Sequence, residues 1–138
     1  MTAADLSGAN LTDADLNNAD LYDADLRGTD LTGVVFQVVA MSGANLSGND
    51  LSNAYMRGAI LDDANLSGSN LSNANLTDAD LSGADLTGAD LTRADLRNAD
   101  LRGADICDAY FSETNAIGAL INEDQVACPN LEFEFEPL

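Results

Sequence analysis

The chain has 138 residues, which suits one domain, and carries 24 Asp and Glu against five Arg, with no Lys, for a formal charge of −19. A field of that sign repels nucleic acid and anionic lipid and suits basic partners or cations. The absence of His removes the commonest general base and metal ligand, and 5% aromatics without Trp is too few for a conventional globular core.

No stretch approaches 18 consecutive apolar residues, so no transmembrane helix is expected and no membrane partner with it. The opening Met1-Thr2-Ala3-Ala4-Asp5 passes straight into a repeat, which leaves no room for a signal peptide in these residues. No capping helix precedes Leu6. The first-coil residues Leu6, Leu11, Leu16 and Leu21 are therefore expected to present an open apolar end, from truncation or as a stacking dimer interface.

From Leu6 to Phe111 every fifth residue is large and apolar, 22 positions in register without an insertion. Two residues before this central position, 17 of the 22 residues are Ala; one residue before it, 17 are Asp or Asn. Neither an α-helix nor a straight strand keeps every fifth residue on one face. A period of five buries the central residue each time only when the chain turns once per quintet. The small–polar–large triplet supplies a short extended piece, and the Gly, Asn and Asp that follow supply the turn. Four such turns close a 20-residue coil, and coils stack at roughly 4.8 Å. The 22 repeats then make about five and a half coils, a rod on the order of 26 Å tall.

The run Ala79-Asp80-Leu81-Ser82-Gly83-Ala84-Asp85-Leu86-Thr87-Gly88-Ala89-Asp90-Leu91 resembles the pentapeptide-repeat family, and the likeness covers residues 4–113. The resemblance implies an all-β solenoid, a right-handed quadrilateral β-helix. No catalytic residue and no cofactor is assigned.

The outward polar pattern breaks at Val34-Val35-Phe36-Gln37-Val38-Val39-Ala40-Met41. Val35, Val38 and Ala40 are expected on the surface, with Tyr55 above Val35 and Ile60 above Ala40. Five apolar residues on an acidic wall mark a candidate contact for a protein partner. The same patch suits the chain's own tail, through Phe133 and Phe135, or is plain surface variation.

Positions 20 apart form ladders such as Asp5, Asp25, Asn45, Asn65, Asp85 and Asp105, and another ends in Asp80 and Asp100. Stacked carboxylates attract divalent cations weakly, but a flat wall converges few oxygens on one point, so no metal site is assigned. Amide stacking explains the Asn positions. Catalytic carboxylates need distinct environments, and repeated ones do not have them. With no His for a nucleophile–base pair, no enzyme is expected. An acidic rod of this width also resembles members of the family that mimic DNA and act on gyrase.

After Phe111 the pattern gives way to two expected helices, one from Thr114 or Asn115 to Ile121 and one from Asn122, with Gln125 completing a capping box, to Pro129. Ile117, Leu120, Ile121 and Val126 are expected to cover the end of the core, so that residues 114–138 form a cap and tail. The tail Leu131–Leu138 alternates like an edge strand. Cys107 and Cys128 lie on either side of the cap. They read as a disulfide or as two free thiols, since 21 residues is no zinc-ligand spacing. A solenoid ending in a disulfide-bracketed helical cap is similar to lumenal or periplasmic pentapeptide-repeat proteins of cyanobacteria and chloroplasts. That resemblance implies the thylakoid lumen or periplasm if a leader was removed, and the cytoplasm otherwise. The expected state is a monomer or weak homodimer with an unidentified protein partner.

Overall fold

The computed structural model describes residues 3–122 and Gln125. Within residues 3–122 a five-residue unit of turn and isolated bridge recurs without a break. Parallel β-bridges join the residues just before the central positions to those twenty places on, from Asp5↔Asp25 to Asp100↔Leu120 with Asp30 and Asp50 the one exception. A coil is therefore twenty residues on four walls. Coil 1 is residues 4–23, coil 2 is 24–43, coil 3 is 44–63, coil 4 is 64–83, coil 5 is 84–103, and coil 6 begins at 104. Wall 1 starts at residues 4–8, wall 2 at 9–13, wall 3 at 14–18 and wall 4 at 19–23, each recurring every twenty residues.

The corners follow from turn chemistry. The N–H of Ala89 donates to the carbonyl of Leu86 at 2.9 Å, and Gly88 between them has φ +67°. A three-residue hydrogen bond with φ above zero at the third residue of the turn is a type II turn, which favours Gly and tolerates Asn and Asp. Asp13, Asn18, Asn53, Asp78 and Asn98 take that place as Gly8 and Gly28 do. Asp108 alone among these described positions lacks the positive φ.

Each central side chain points to the axis. Leu26, Leu46, Leu66 and Leu86 are fully buried in one column, and Ala24, Ala44, Ala64 and Ala84 lie fully buried beside them. Full burial of one Leu side chain contributes about 1.5–3 kcal/mol. In coil 1, Leu6, Leu11 and Leu16 are only partly buried against the core.

One column of the interior is polar. Thr29, Asn49 and Ser69 stand buried where Ala9, Ala89 and Ala109 stand in other coils. Ser69 Oγ donates to the carbonyl of Leu66 and Thr29 Oγ1 to that of Leu26, both at 2.7 Å. Asn49 Nδ2 also donates to Leu26 O at 2.7 Å, and its Oδ1 accepts the N–H of Gly28 at 2.9 Å. A buried polar group without a partner costs free energy, so these bonds are what admit the three residues to the core.

The expected helix from Thr114 or Asn115 to Ile121 does not form. The coil continues instead, with bridges Asp95↔Asn115 and Asp100↔Leu120. Glu113 (φ +58°) and Gly118 (φ +74°) make the corner turns. Ala116 takes a buried central position, while Ile117 is 62% exposed and covers nothing. The apolar spacing of Ile117, Leu120 and Ile121 imitates a helix face. The turn residues and the sheet edge offered by coil 5 decide otherwise. Of the second expected helix, the Asn122 and Gln125 pair is present: Gln125 Oε1 accepts the N–H of Asn122 at 2.6 Å. Gln125 Nε2 donates to the carbonyls of Leu101 and Ala104 at 2.7 and 2.8 Å, so this buried amide covers part of the last coil's edge. The rest of that helix, the tail with Phe133 and Phe135, Val126 and Cys128 lie outside the described residues.

Candidate functional site

The regular wall defines what a departure from it means. Each Asp or Asn one residue before a central position, from Asp5 to Asp100, accepts through Oδ1 the N–H two residues on. Thr12 to Asn10 at 2.9 Å and Thr87 to Asp85 at 2.9 Å are two of these bonds. They are Asx turns, and they tie the outside of the rod to its corners. The carboxylates are thereby engaged in bonds to their own turns rather than converging on a common point. Among the described residues no group of three or more His, Cys, Asp or Glu is placed to hold a metal ion.

Val35, Ala40, Tyr55 and Ile60 occupy this position and have no carboxylate or amide oxygen to give. The N–H of Gln37 turns instead to Asn17 Oδ1 in the coil below, at 2.9 Å. The structure brings the expected patch together: Val35 bridges Tyr55 and Ala40 bridges Ile60. Val35, Val38, Tyr55 and Ile60 are exposed to between 36% and 49%, and Ala40 is half-buried. Val38 adds strain at φ +55°, a region that a β-branched residue rarely enters. The residues at the same turn in other coils are Asn18, Gly58, Asp78, Asn98 and Gly118, all better suited to it.

The walls differ in charge as well. Wall 3 carries Asp15, Asp78 and Asp95 against Arg57 and Arg97. Walls 1 and 2 each carry five carboxylates against a single Arg, and wall 4 carries six against Arg102. Wall 3 is thus close to neutral. A shallow cleft of about 440 Å³ continues it from Tyr55 past Arg57 and Asp78 to Arg97 and Ile117. Both Arg are paired, Arg57 with Asp78 at 3.2 Å and Arg97 with Asp95 at 2.6 Å. On wall 1 the Arg27 side chain and backbone N–H bond Asp25 and hold its pKa down to about 2. The ladder Asp5, Asp25, Asn45, Asn65, Asp85, Asp105 runs along wall 1, its five bridges in register. On wall 2 Asn70 Nδ2 donates to Asp50 Oδ1 at 3.2 Å, so amides here separate carboxylates by bonding to them.

Cys107 lies exposed on wall 1 in the turn with the irregular Asp108, and it is not a free thiol. Reading the sequence missed two things at this site. The strain at Val38 was legible as a Val in a column of Asn, Asp and Gly. The buried hydrogen bonds of Asn49 were legible only as an Asn in a column of Ala, Thr and Ser.

A family model described as pentapeptide repeats matches residues 1–37, 41–78 and 74–112. Among solved structures, HetL, a pentapeptide repeat protein involved in heterocyst differentiation regulation from the cyanobacterium Nostoc sp. strain PCC 7120, is 37% identical over 89% of this chain, with a TM-score of 0.44. The present chain spans 55% of that protein. A pentapeptide repeat protein of the Arabidopsis thaliana thylakoid lumen is 29% identical over 90% of this chain and 72% of its own, with a TM-score of 0.30. QnrB1, a plasmid-mediated fluoroquinolone resistance protein, is 19% identical over 91% of this chain and 81% of its own, with a TM-score of 0.44. A comparison with curated proteins gives no match.

Proposed function

The chain belongs to the pentapeptide-repeat family of right-handed β-helix solenoids, and from that premise we propose that it is a non-enzymatic scaffold that binds a protein partner through the patch of Val35, Val38, Ala40, Tyr55 and Ile60. The observation that carries this reading is the local cost of the patch. Four of its residues give up a bond that every Asp and Asn at the same position makes up to Asp100, and the fifth sits in a strained turn. Strain and lost bonds that persist in an otherwise regular wall point to a use. Asp15 and Asp20 lie below the patch, Asp62 beside it, and Asp78 and Asp80 above it. The complementary surface is apolar at its centre and basic at its rim.

The test is the double variant Val35→Asp and Tyr55→Ser, with association read by sedimentation and pull-down. Val35→Asp restores the Asx oxygen, so the thermal midpoint is expected to hold while partner binding and self-association fall at least tenfold. Unchanged association removes the reading. Monomer or weak homodimer is read from the same sedimentation profile.

A disulfide between Cys107 and Cys128 is part of the proposal. The loss of the free thiol at Cys107 and the altered turn at Asp108 support it. In the chain-entropy model a loop of that length adds about 3 kcal/mol. It implies an oxidising compartment, for which thylakoid lumen and periplasm are the candidates. Intact mass with and without reductant should differ by two hydrogens. The DNA-mimic reading needs charge around the whole rod, and the near-neutral wall 3 does not supply it. A gyrase supercoiling assay is expected to show no inhibition.

A further inference from the structure

A regular interface between coils carries twelve backbone hydrogen bonds, three on each wall; coil 1 on coil 2, coil 3 on coil 4 and coil 4 on coil 5 all have the full set. Coil 2 on coil 3 keeps seven. On wall 2 none remains: the N–H groups of Leu31, Gly33 and Asp50 have no backbone acceptor across the interface. Asp30 and Asp50 are the one pair missing from a ladder that otherwise runs from residue 5 to residue 120. On wall 1 the N–H of Gly28 is drawn off to Asn49 Oδ1. On wall 3 two bonds survive, Phe36 N to Tyr55 O and Val38 N to Arg57 O, both at 3.2 Å, and the N–H of Tyr55 makes none. Wall 4 keeps all three at 2.7 to 2.9 Å.

We propose that this seam divides the solenoid into two cooperative units, residues 3–43 and residues 44–122, and that the first opens as one body while the second stays folded. The cause is a side chain. Asn49 is 3% exposed in a column that is Ala in three other coils, and its amide reaches between the coils to Leu26 O, Thr29 Oγ1 and Gly28 N. It takes one donor the regular ladder would use, the N–H of Gly28, and wedges its amide between the coils beside wall 2. Phe36, in a column otherwise of Leu and Met up to Leu96, adds bulk on the next wall. In a solenoid each coil leans only on its neighbours, so a weak interface divides the stack, whereas a weak residue merely lowers the sum. The full twelve bonds between coils 1 and 2 keep them together when they part from coil 3. The inference stands on backbone bonding and does not need the partner reading.

Native-state hydrogen exchange of the whole protein tests it. The amides of Leu11, Asp13 and Asp30, which bond coil 1 to coil 2, are expected to share one opening rate. That rate should be roughly 10–100-fold faster than for Leu51, Asn53 and Asn70, which bond coil 3 to coil 4 on the same wall. Fraying from the end predicts a smooth gradient from coil 1 through coil 3, and such a gradient overturns the proposal. In Asn49→Ala, which carries the residue of Ala9 and Ala89, the step is expected to shrink to less than threefold as the ladder closes. A step that persists in this variant removes Asn49 as the cause and overturns the proposal as stated.

Discussion

Coil 2 and coil 4 have the same length, the same four corners and the same walls, and they teach different things. In coil 4 every inward place is filled by Leu, Ala or the small Ser69, every outward Asx ties down its turn, and the ladders on both sides are complete. Coil 2 departs from the pattern at Thr29, Val34, Val35, Phe36, Val38, Val39, Ala40 and Met41. There the ladder to coil 3 thins on three of the four walls and the surface turns apolar. Fidelity to the repeat and completeness of the ladder go together, because a five-residue unit leaves no slack in which a larger or differently bonded side chain can be absorbed. What coil 2 gives up in bonding it gains in surface character.

The contrast can be tested by substitution, from the strongest effect down. Leu71→Ala, in the tight part of the rod, should cost about 2–5 kcal/mol in urea unfolding. Leu11→Ala, partly exposed in coil 1, should cost less than half of that. Equal costs would show that the two regions respond alike. Gly68→Ala and Gly83→Ala both force an L side chain to a positive φ, at about 1–2 kcal/mol. The Cβ at Gly68 meets open space while that at Gly83 meets the Asp63 carboxylate, so Gly83→Ala should be the worse of the two by thermal midpoint.

Val38→Asn sharpens the contrast from the other side. It relaxes the strained turn with the residue found at Asn18 and Asn98, and should raise stability by about 1 kcal/mol. No gain would mean that the turn at Val38 is not where coil 2 is strained. Acid has the smallest and least selective effect. Hydrogen bonds from Arg27, Arg97, Arg102 and Arg93 hold Asp25, Asp95, Asp100 and Glu113 below the ordinary carboxylate range, Asp25 at about 2. A carboxyl with a lowered folded pKa stabilises above its unfolded value of about 4, and that help is lost as pH falls toward the folded value. Stability should therefore decline from about pH 5 to pH 2, and Arg27→Gln should flatten the decline slightly.

Most of the architecture was legible because one residue type per position decides it. The Leu column sets the inside, the Gly, Asn and Asp column sets the corner, and a step of twenty sets which residues meet, Val35 with Tyr55 and Ala40 with Ile60 among them. The end of the repeat was not legible. Ile117, Leu120 and Ile121 have helical spacing, and the preference of a sheet edge for a further strand is a property of coil 5 that no local window contains. The seam was hidden for a similar reason. Asn49 looks like a tolerable small polar residue until its amide is seen to draw the Gly28 N–H off the ladder and to reach Leu26 and Thr29 in the coil below. The site was legible as an apolar patch but not as a costly one, since the cost lies in hydrogen bonds that fail to form.

The thin interface also has a mechanical meaning. A stack of equal coils pulled from its two ends would peel in steps of twenty residues. With seven bonds at one level and twelve on either side, the first rupture under load should instead release the forty-odd residues up to Ala44 together, about 140 Å of slack at full extension. Because Val35 and Tyr55 face each other across that break, anything gripping both would act as a splint, raising the force needed for the first rupture and leaving later ones unchanged.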